Sequence, residues 1–165
     1  MKRVLIIGCC GAGKSTLAIG LADKTNLPII HLDSYYWKPN WIETPKDEWT
    51  EIVKRLCSQP EWIMDGNYVN SLPVRLSFAD TVIFLDFNTV SCLFGAFRRL
   101  ILRHRPDKIE GCKERIDFEF LKWIIMFKAR QTPKITALLR SYANGKVYVL
   151  RNGRQCKEFL CGTLT

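Results

Sequence analysis

One segment near the amino terminus constrains the fold of this chain more than any other: Gly8-Cys9-Cys10-Gly11-Ala12-Gly13-Lys14-Ser15. It matches the pattern G-x-x-x-x-G-K-[ST], with an apolar run at 4–7 before it and a helix-compatible stretch at 14–24 after it. A strand, a glycine-rich loop and a helix in this order form a P-loop, in which backbone N–H groups and the helix N-terminus surround phosphate oxygens. The sequence therefore predicts a phosphate-binding α/β fold.

The residue types of this loop indicate how it would hold Mg²⁺-ATP. Glycines let the backbone come close to the phosphates. Lys14 brings a mobile positive charge to the β- and γ-phosphates, the Ser15 hydroxyl is a ligand for Mg²⁺, and Thr16 is placed for a further phosphate contact. The predicted nucleotide-binding residues of the segment are Gly8, Gly11, Ala12, Gly13, Lys14, Ser15 and Thr16.

Further strands alternate with helices along the chain. Four apolar runs predict these strands, at 28–33, 62–66, 81–86 and 146–150. Such alternation is typical of a parallel sheet covered by helices. Three of the predicted strands end at an aspartate, namely Asp33, Asp65 and Asp86. Because ligands bind beyond the carboxyl ends of parallel strands, we expect these carboxylates to share one crevice.

Composition bounds the classes of protein that this chain can belong to. Its 165 residues, 47% of them hydrophobic, predict a single domain over residues 1–165. The net charge of +9 indicates an anionic partner: a nucleotide, a nucleic acid or a membrane surface. Seven cysteines without a C-x-x-C pair favour reduced thiols in a cytoplasmic protein. No apolar run approaches the roughly 18 residues of a membrane span, so no membrane is expected.

Two segments at predicted strand ends are candidates for acceptor chemistry. Asp33 would orient a Mg²⁺-bound water or accept a proton from a substrate hydroxyl. The alternative is that it only caps the next helical segment. In Asp65-Gly66-Asn67 the glycine would let the backbone approach a ligand, although Asp-Gly is also an ordinary turn. His31 is expected to be packed rather than catalytic.

The helix-compatible stretch after the fourth strand ends in a cluster of arginines, at Arg98, Arg99, Arg103 and Arg105. These side chains would neutralise charge on a transferring phosphoryl group. The alternative is a solvated helix end, where arginines complement the helix dipole. The predicted catalytic residues are Lys14, Asp33, Arg99 and Arg103.

Several other segments complete a wider pattern: Ile30-His31-Leu32-Asp33, Tyr36-Trp37-Lys38-Pro39, Asp65-Gly66-Asn67-Tyr68, residues 79–86 and Arg105-Pro106-Asp107. With the P-loop, they resemble the small bacterial P-loop proteins called DNA topology modulation proteins, which are related to adenylate kinase and to shikimate- and gluconate-type kinases. The resemblance covers nearly the whole chain. It implies a three-layer α/β/α P-loop NTPase fold with a five-stranded parallel sheet, a helical acceptor-binding insertion at 34–60 and an arginine-bearing lid at about 98–115.

The resemblance also implies contacts of individual residues. Asp65-Gly66-Asn67 parallels the adenylate-kinase segment that handles the acceptor nucleotide, but the arginine of that segment is missing and Arg75 would substitute for it. Gly95 stands where related proteins often carry an arginine that stacks on adenine. Arg99 matches the next lid arginine, and adenine would depend more on the loop that begins at Arg151.

Residues 34–60 are rich in aromatic side chains, among which Tyr36 and Trp37 would stack on a flat acceptor. The alternative is that these rings form a small core of their own. The predicted substrate-binding residues are Asp33, Tyr36, Trp37, Asp65, Gly66, Asn67 and Arg75, and the predicted Mg²⁺ ligands are Ser15 and Asp33.

The sequence therefore predicts an ATP-dependent phosphotransferase with Mg²⁺-ATP as donor and a small molecule as acceptor. The alternative is a nucleic-acid-binding regulator with NTPase activity, which the positive charge and the interleaved aromatic and basic residues suggest. No helix-turn-helix or RNA-binding signature supports that alternative. The sequence leaves the identity of the acceptor and the oligomeric state open.

Overall fold

The computed structural model describes residues 1–102, 111–112 and 117–162. The strands in these ranges are β1 (Arg3–Gly8), β2 (Ile29–His31), β3 (Trp37–Lys38), β4 (Ile42–Glu43), β5 (Trp62–Asp65), β6 (Thr81–Leu85) and β7 (Lys146–Leu150). The helices are α1 (Lys14–Thr25), α2 (Asp33–Tyr36), α3 (Lys46–Cys57), α4 (Leu72–Phe78), α5 (Thr89–Leu102), α6 (Phe118–Arg130), α7 (Thr132–Tyr142) and α8 (Gly153–Gly162). Short 3-10 turns lie at Pro39–Trp41 and Val69–Ser71.

A parallel sheet with the strand order β2-β5-β1-β6-β7 forms the centre of the fold. Its middle strand, β1, pairs on both sides, with Ile6 opposite Asp65 on β5 and opposite Ile83 on β6. The β1 residues 4–7 are all fully buried, as expected for a strand covered on both faces. The predicted α/β fold, with five parallel strands flanked by helices, is confirmed.

The second strand is shorter than the sequence predicts. It ends at His31, and Asp33 opens helix α2 instead of ending the strand. The chain turns at Leu32, whose N–H donates to the Asp65 carbonyl at 3.0 Å and whose carbonyl accepts the N–H of Tyr36 at 3.0 Å. Asp33 therefore leaves the sheet edge on a helical turn.

The segment 34–60, which the sequence predicts to be a helical insertion, combines helices with the antiparallel hairpin β3-β4. Pro45 is the N-cap residue of helix α3. The hydroxyl of the preceding residue, Thr44, donates to the carbonyl of Tyr36 at 2.7 Å and so connects the end of the hairpin to α2. Along one face, helix α3 buries Trp49, Val53 and Leu56.

The predicted arginine-bearing lid at about 98–115 lies largely outside the described residues, and so do Arg103 and Arg105. Helix α6 begins at Phe118, where the side chain of Asp117 caps it by accepting the N–H of Phe120 at 2.8 Å. Within the described ranges, none of the helices combines the length and apolar composition needed to cross a bilayer.

The P-loop and helix α5 meet backbone to backbone. A Cβ built on Gly95 would lie 2.1 Å from the carbonyl oxygen of Gly11, and a Cβ built on Gly11 would lie 2.0 Å from the carbonyl oxygen of Cys92. Gly11 also has a φ of +79°, which favours glycine. Neither position can therefore carry a side chain without moving the loop away from the helix.

We expect Gly95→Ala to lower the free energy of unfolding by about 1–3 kcal/mol, because the added methyl group forces the helix and the loop apart. The control is Gly153→Ala, since a Cβ on Gly153 has no heavy atom within 4 Å. That control should leave stability unchanged or raise it slightly. Urea denaturation followed by circular dichroism measures both, and equal stabilities of the two variants would contradict the close contact.

Candidate functional site

A crevice of about 450 Å³ opens between the P-loop, the ends of β2 and β5, and helix α5. Most of its wall consists of residues that the sequence assigns to nucleotide or acceptor binding. The predicted site residues that line it are Gly11, Gly13, Lys14, Ser15, Thr16, Asp33, Asp65, Gly66 and Arg99, and Arg98 lines it as well. The structure thus brings these distant segments together at one site.

The P-loop has the backbone geometry that a phosphate cradle needs. Gly13 has a φ of +86° and forms the N-cap of α1, so the first N–H groups of that helix point into the crevice region. The Lys14 ammonium donates to the carbonyl of Cys9 at 3.1 Å, which folds its side chain over the loop. Gly8 and Ala12 lie behind this surface, where a Cβ on Gly8 would meet the Leu85 carbonyl oxygen at 2.7 Å.

One wall of the crevice carries Asp33, and the hydroxyl of Tyr68 holds its carboxylate. This hydroxyl donates to Asp33 Oδ1 at 2.6 Å. Burial, together with the nearby carboxylate of Asp33, raises the pKa of the Tyr68 hydroxyl, so it remains protonated and able to donate. In the sequence Tyr68 stands out only as part of the family resemblance, so its contact with Asp33 was not predicted.

Asp65 and Gly66 form the neighbouring part of the same wall. Asp65 is 4% exposed and lies 2.8 Å from Nδ1 of His31, which agrees with a packed rather than catalytic histidine. Gly66 has a φ of +143°, and a Cβ there would lie 2.8 Å from the Cβ of Leu32. Only glycine therefore lets the end of β5 pass so close to the end of β2.

Arg75, which the sequence predicts to bind the substrate, lies beneath this wall and does not reach the crevice. It is fully buried, and it donates to the carbonyl of Gly66 at 2.9 Å and to the carbonyl of Tyr68 at 2.6 Å. Burial lowers the pKa of Arg75 to about 10, so it stays charged at neutral pH. We therefore revise its role from substrate contact to support of the 66–68 segment.

The aromatic residues of the insertion pack on one another. Tyr36 lies with ring centroids 5.0 Å from Trp37, 5.0 Å from Trp49 and 4.5 Å from Tyr68. Neither Tyr36 nor Trp37 lines the crevice. The alternative of a small aromatic core therefore describes these rings better than the predicted stacking on an acceptor, because each ring finds its neighbours within the fold.

Other predicted residues stand apart from the crevice. Asp86 does not line it and lies 3.6 Å from the ammonium of Lys128, so the third expected carboxylate is absent from this wall. Arg151 is exposed in the loop after β7, where its N–H donates to the side chain of Gln155 at 2.6 Å. Asn67 follows Gly66 but is half-buried and does not line the crevice.

The opposite wall is basic. Arg98 and Arg99 line it from helix α5, and Nη1 of Arg99 lies 3.7 Å from the sulfur of Cys10 in the P-loop. Behind the loop, a hydrogen bond with Cys92 and burial raise the pKa of the Cys9 thiol. Since β6 and β5 flank β1 on opposite sides, the α5 arginines and the two carboxylates lie on opposite sides of the P-loop.

A magnesium ion would be held here by oxygen atoms of the protein and of a bound nucleotide together. Within the described parts of the chain, no cluster of three or more metal-ligating side chains would hold an ion alone. Ser15 and Asp33, which both line the crevice, offer the hard oxygen donors that Mg²⁺ prefers. Mg²⁺ usually binds through one or two carboxylates plus substrate phosphates, and these residues fit that arrangement.

Comparison with solved structures shows which proteins share this fold. The chain is similar to shikimate kinase from Acinetobacter baumannii in complex with shikimate, with a TM-score of 0.63, 17% identity and coverage of 99% of this chain and 91% of that chain. It is similar to the YorR protein from Bacillus subtilis in complex with phosphorylated GDP, with a TM-score of 0.58, 15% identity and coverage of 98% and 92%. A gluconokinase from Sinorhizobium meliloti 1021 matches with a TM-score of 0.58, 14% identity and coverage of 99% and 89%.

No family model and no curated protein sequence matches the chain. The resemblance to DNA topology modulation proteins therefore stays a prediction. At identities of 14–17% these likenesses show a shared fold alone.

We expect Arg75→Met to lower the free energy of unfolding by about 2–4 kcal/mol, because the carbonyls of Gly66 and Tyr68 lose their buried donors. The loss of a buried charge offsets part of this cost. The matched control is Arg55→Met on the exposed side of α3, which should change stability by less than about 0.5 kcal/mol. Urea denaturation provides the measurement, and equal effects of the two changes would exclude the supporting role.

Proposed function

We propose that this protein is an ATP-dependent phosphotransferase that moves the γ-phosphate of Mg²⁺-ATP to a hydroxyl or phosphate group of a small acceptor. The proposal rests on one observation: positive and negative side chains line different walls of the same crevice. A P-loop with Lys14 lies between a wall with Arg98 and Arg99 and a wall with Asp33 and Asp65. Cations on one side suit a triphosphate, and carboxylates on the other suit the acceptor.

The donor nucleotide would bind on the P-loop. Backbone N–H groups after Gly11 and at the start of α1 would surround the phosphate oxygens. Lys14 would reach the β- and γ-phosphates, and Arg98 and Arg99 would neutralise the charge that spreads over the transferring group. Ser15 and Asp33 would hold Mg²⁺, which would neutralise part of the phosphate charge.

The acceptor would lie against Asp33. For an acceptor hydroxyl, the oxygen attacks the γ-phosphorus, and the bond from that phosphorus to the β–γ bridging oxygen breaks. The hydroxyl proton passes to the Asp33 carboxylate, which the Tyr68 hydroxyl orients from behind. The products are ADP and the phosphorylated acceptor.

The second candidate function, a nucleic-acid-binding regulator related to DNA topology, draws on the net charge of +9. Three of the positive charges, Lys14, Arg98 and Arg99, line the crevice and would serve a bound nucleotide. A gel-shift titration with duplex and single-stranded DNA tests the candidate, which requires binding that weakens steeply with salt.

We expect Asp33→Asn to lower the rate of phosphoryl transfer by about 10²–10⁴-fold, because the acceptor loses its proton acceptor. We expect the affinity for ATP measured without Mg²⁺ to stay nearly unchanged, since the P-loop is intact. Transfer of ³²P from labelled ATP to a panel of nucleosides, nucleotides and hydroxylated metabolites measures the rate. Phosphate that appears only in water would contradict the proposal and indicate an NTPase.

We expect Lys14→Ala to weaken ATP binding by about tenfold or more, equivalent to about 1.4 kcal/mol, because a charge contact with the phosphates is lost. The control is Lys24→Ala in the last turn of the same helix, outside the crevice. Isothermal titration calorimetry measures both. Unchanged affinity in Lys14→Ala would place the nucleotide elsewhere.

Alkylation provides a further test, because Cys10 lines the crevice whereas Cys161 is exposed at the end of α8. We expect Mg²⁺-ATP to slow the reaction of iodoacetamide with Cys10 and to leave the reaction at Cys161 unchanged. Peptide mass spectrometry measures both rates in one sample. Equal rates at Cys10 with and without nucleotide would contradict nucleotide binding in the crevice.

A further inference from the structure

We propose that Cys9 and Cys92 are a redox modification site: a peroxide oxidises the two thiols to a disulfide that ties the P-loop to helix α5, and the oxidised protein binds nucleotide more weakly. Formation of the disulfide is independent of the proposed function, whereas its effect on ATP rests on that function. The inference starts from a feature of the loop that phosphate binding leaves unexplained, namely that two of its residues, Cys9 and Cys10, are cysteines.

Cys9 and Cys92 lie where the P-loop meets helix α5. Both are almost fully buried, with exposed fractions of 2% for Cys9 and 1% for Cys92. Cys92 lies on the same face of α5 as Gly95 and Ala96, which follow it by three and four positions. A Cβ on Gly11 would lie 2.0 Å from the carbonyl oxygen of Cys92 and 2.8 Å from the backbone nitrogen of Ala96. The loop and this turn of the helix are therefore in direct contact.

The two thiols interact, and the interaction affects them in opposite ways. A hydrogen bond between them and burial raise the pKa of Cys9. The same hydrogen bond lowers the pKa of Cys92 and outweighs burial, and the charges of Lys14 and Lys128 lower it further, against Asp86. Cys92 is thus the member of the pair that becomes a thiolate, while Cys9 keeps its proton and donates it. A thiolate is the nucleophilic form of cysteine.

Burial alone does not produce this arrangement, as Cys57 in helix α3 shows. Its side chain is fully buried, and burial raises its pKa to about 11, so Cys57 remains a thiol at neutral pH. Its environment therefore keeps it unreactive. Cys57 provides an internal reference for a buried cysteine outside the P-loop.

Oxidation of the pair by a peroxide is a balanced two-electron reaction. The Cys92 thiolate attacks one peroxide oxygen, the O–O bond breaks, and the other oxygen leaves as hydroxide. The Cys9 sulfur then attacks the sulfur of the Cys92 sulfenic acid, the S–O bond breaks, and the Cys9 proton leaves with the oxygen as water. Two thiols and one hydrogen peroxide thus give one disulfide and two waters. A small thiol reverses the reaction by exchange.

The crevice gives a small oxidant a route to the pair. Cys10 and Gly11, which follow Cys9 in the chain, both line it. Hydrogen peroxide is small and uncharged, so it approaches the loop from this side without a charged binding site. A nucleotide on the P-loop would cover the same side, and we expect Mg²⁺-ATP to slow the oxidation.

The disulfide would disturb the phosphate cradle through Cys9. The carbonyl of Cys9 accepts the N–H of Ala12 at 3.2 Å and the ammonium of Lys14 at 3.1 Å. A disulfide holds its sulfurs about 2 Å apart, well inside the roughly 3.5–4 Å that separates nonbonded heavy atoms. The bond therefore draws Cys9 toward α5. Because the loop already touches the helix at Gly11, the loop has to rotate, which moves Lys14 and the N–H groups that would bind phosphate.

Peptide mapping of the full chain tests whether the pair forms. The folded protein is treated with stoichiometric hydrogen peroxide, alkylated in denaturant and digested without reduction. We expect mass spectrometry to detect peptides joined through Cys9 and Cys92, with Cys57 alkylated as a free thiol. Mg²⁺-ATP should lower the yield of joined peptides. A disulfide between Cys9 and Cys10, or oxidation confined to Cys10, overturns the proposal.

Isothermal titration calorimetry with ATP tests the consequence. We expect the oxidised protein to bind ATP at least about tenfold more weakly, the loss typical of one charge-assisted contact, and dithiothreitol to restore the affinity. Unchanged affinity in protein that carries the disulfide overturns the proposal. Absence of ATP binding in the reduced protein would instead overturn the proposed function and the effect on nucleotide with it, and the peptide map would still decide whether the disulfide forms.

Variants show whether this pair causes the effect. The quantity compared is the ratio of ATP affinities before and after peroxide, in variants that circular dichroism shows to be folded. We expect this ratio to fall to about one in Cys92→Ala and equally in Cys9→Ala, because each lacks one sulfur of the disulfide. The control Cys57→Ala removes another fully buried cysteine and should keep the ratio of the unmodified sequence. A peroxide effect that persists in Cys92→Ala and Cys9→Ala overturns the proposal.

Discussion

The approach of two backbones, at Gly11 in the P-loop and Gly95 in helix α5, is the constraint on which the site depends. It places the helix directly against the loop, because a Cβ at either position would lie about 2 Å from a carbonyl oxygen of the other element. Arg99 follows Gly95 by one helical turn and so lies on the same face of α5. Its guanidinium consequently reaches Cys10 in the loop, at 3.7 Å. The position of the basic wall therefore depends on a contact between two backbones.

The parts of the fold that local pattern determines were predictable from the sequence. The strand, loop and helix around Lys14 form one continuous segment, so spacing and residue type were enough to predict them. Gly95 illustrates the limit of this reasoning. The family resemblance describes it as a missing arginine, whereas the structure shows that a side chain there would collide with Gly11. The contact between Gly95 and Gly11, which are distant in sequence, is what distinguishes a lost arginine from a position that requires glycine.

The insertion and the crevice wall with Asp33 were harder to predict for the same reason. The aromatic residues of the insertion fit both a platform for stacking and a small core. Tyr68, a residue of another segment, decides between them, because its ring centroid lies 4.5 Å from that of Tyr36 and 4.9 Å from that of Trp49. Its hydroxyl also holds Asp33, 35 residues away in the chain. Asp33 was predicted to end a strand, but the turn at Leu32 depends on the Asp65 carbonyl. In each case the deciding partner is remote in sequence.

Arg75 is buried beneath the crevice wall that carries Asp33 and Asp65, where it supports the segment 66–68. The planar guanidinium holds two carbonyls at once, a geometry that a lysine ammonium does not reproduce. One of these carbonyls belongs to Gly66 and the other to Tyr68, whose hydroxyl orients Asp33. Charge-assisted hydrogen bonds offset the cost of burying the cation. The same bonds that fix this wall and orient its Asp33 carboxylate therefore hold the Arg75 guanidinium away from the crevice.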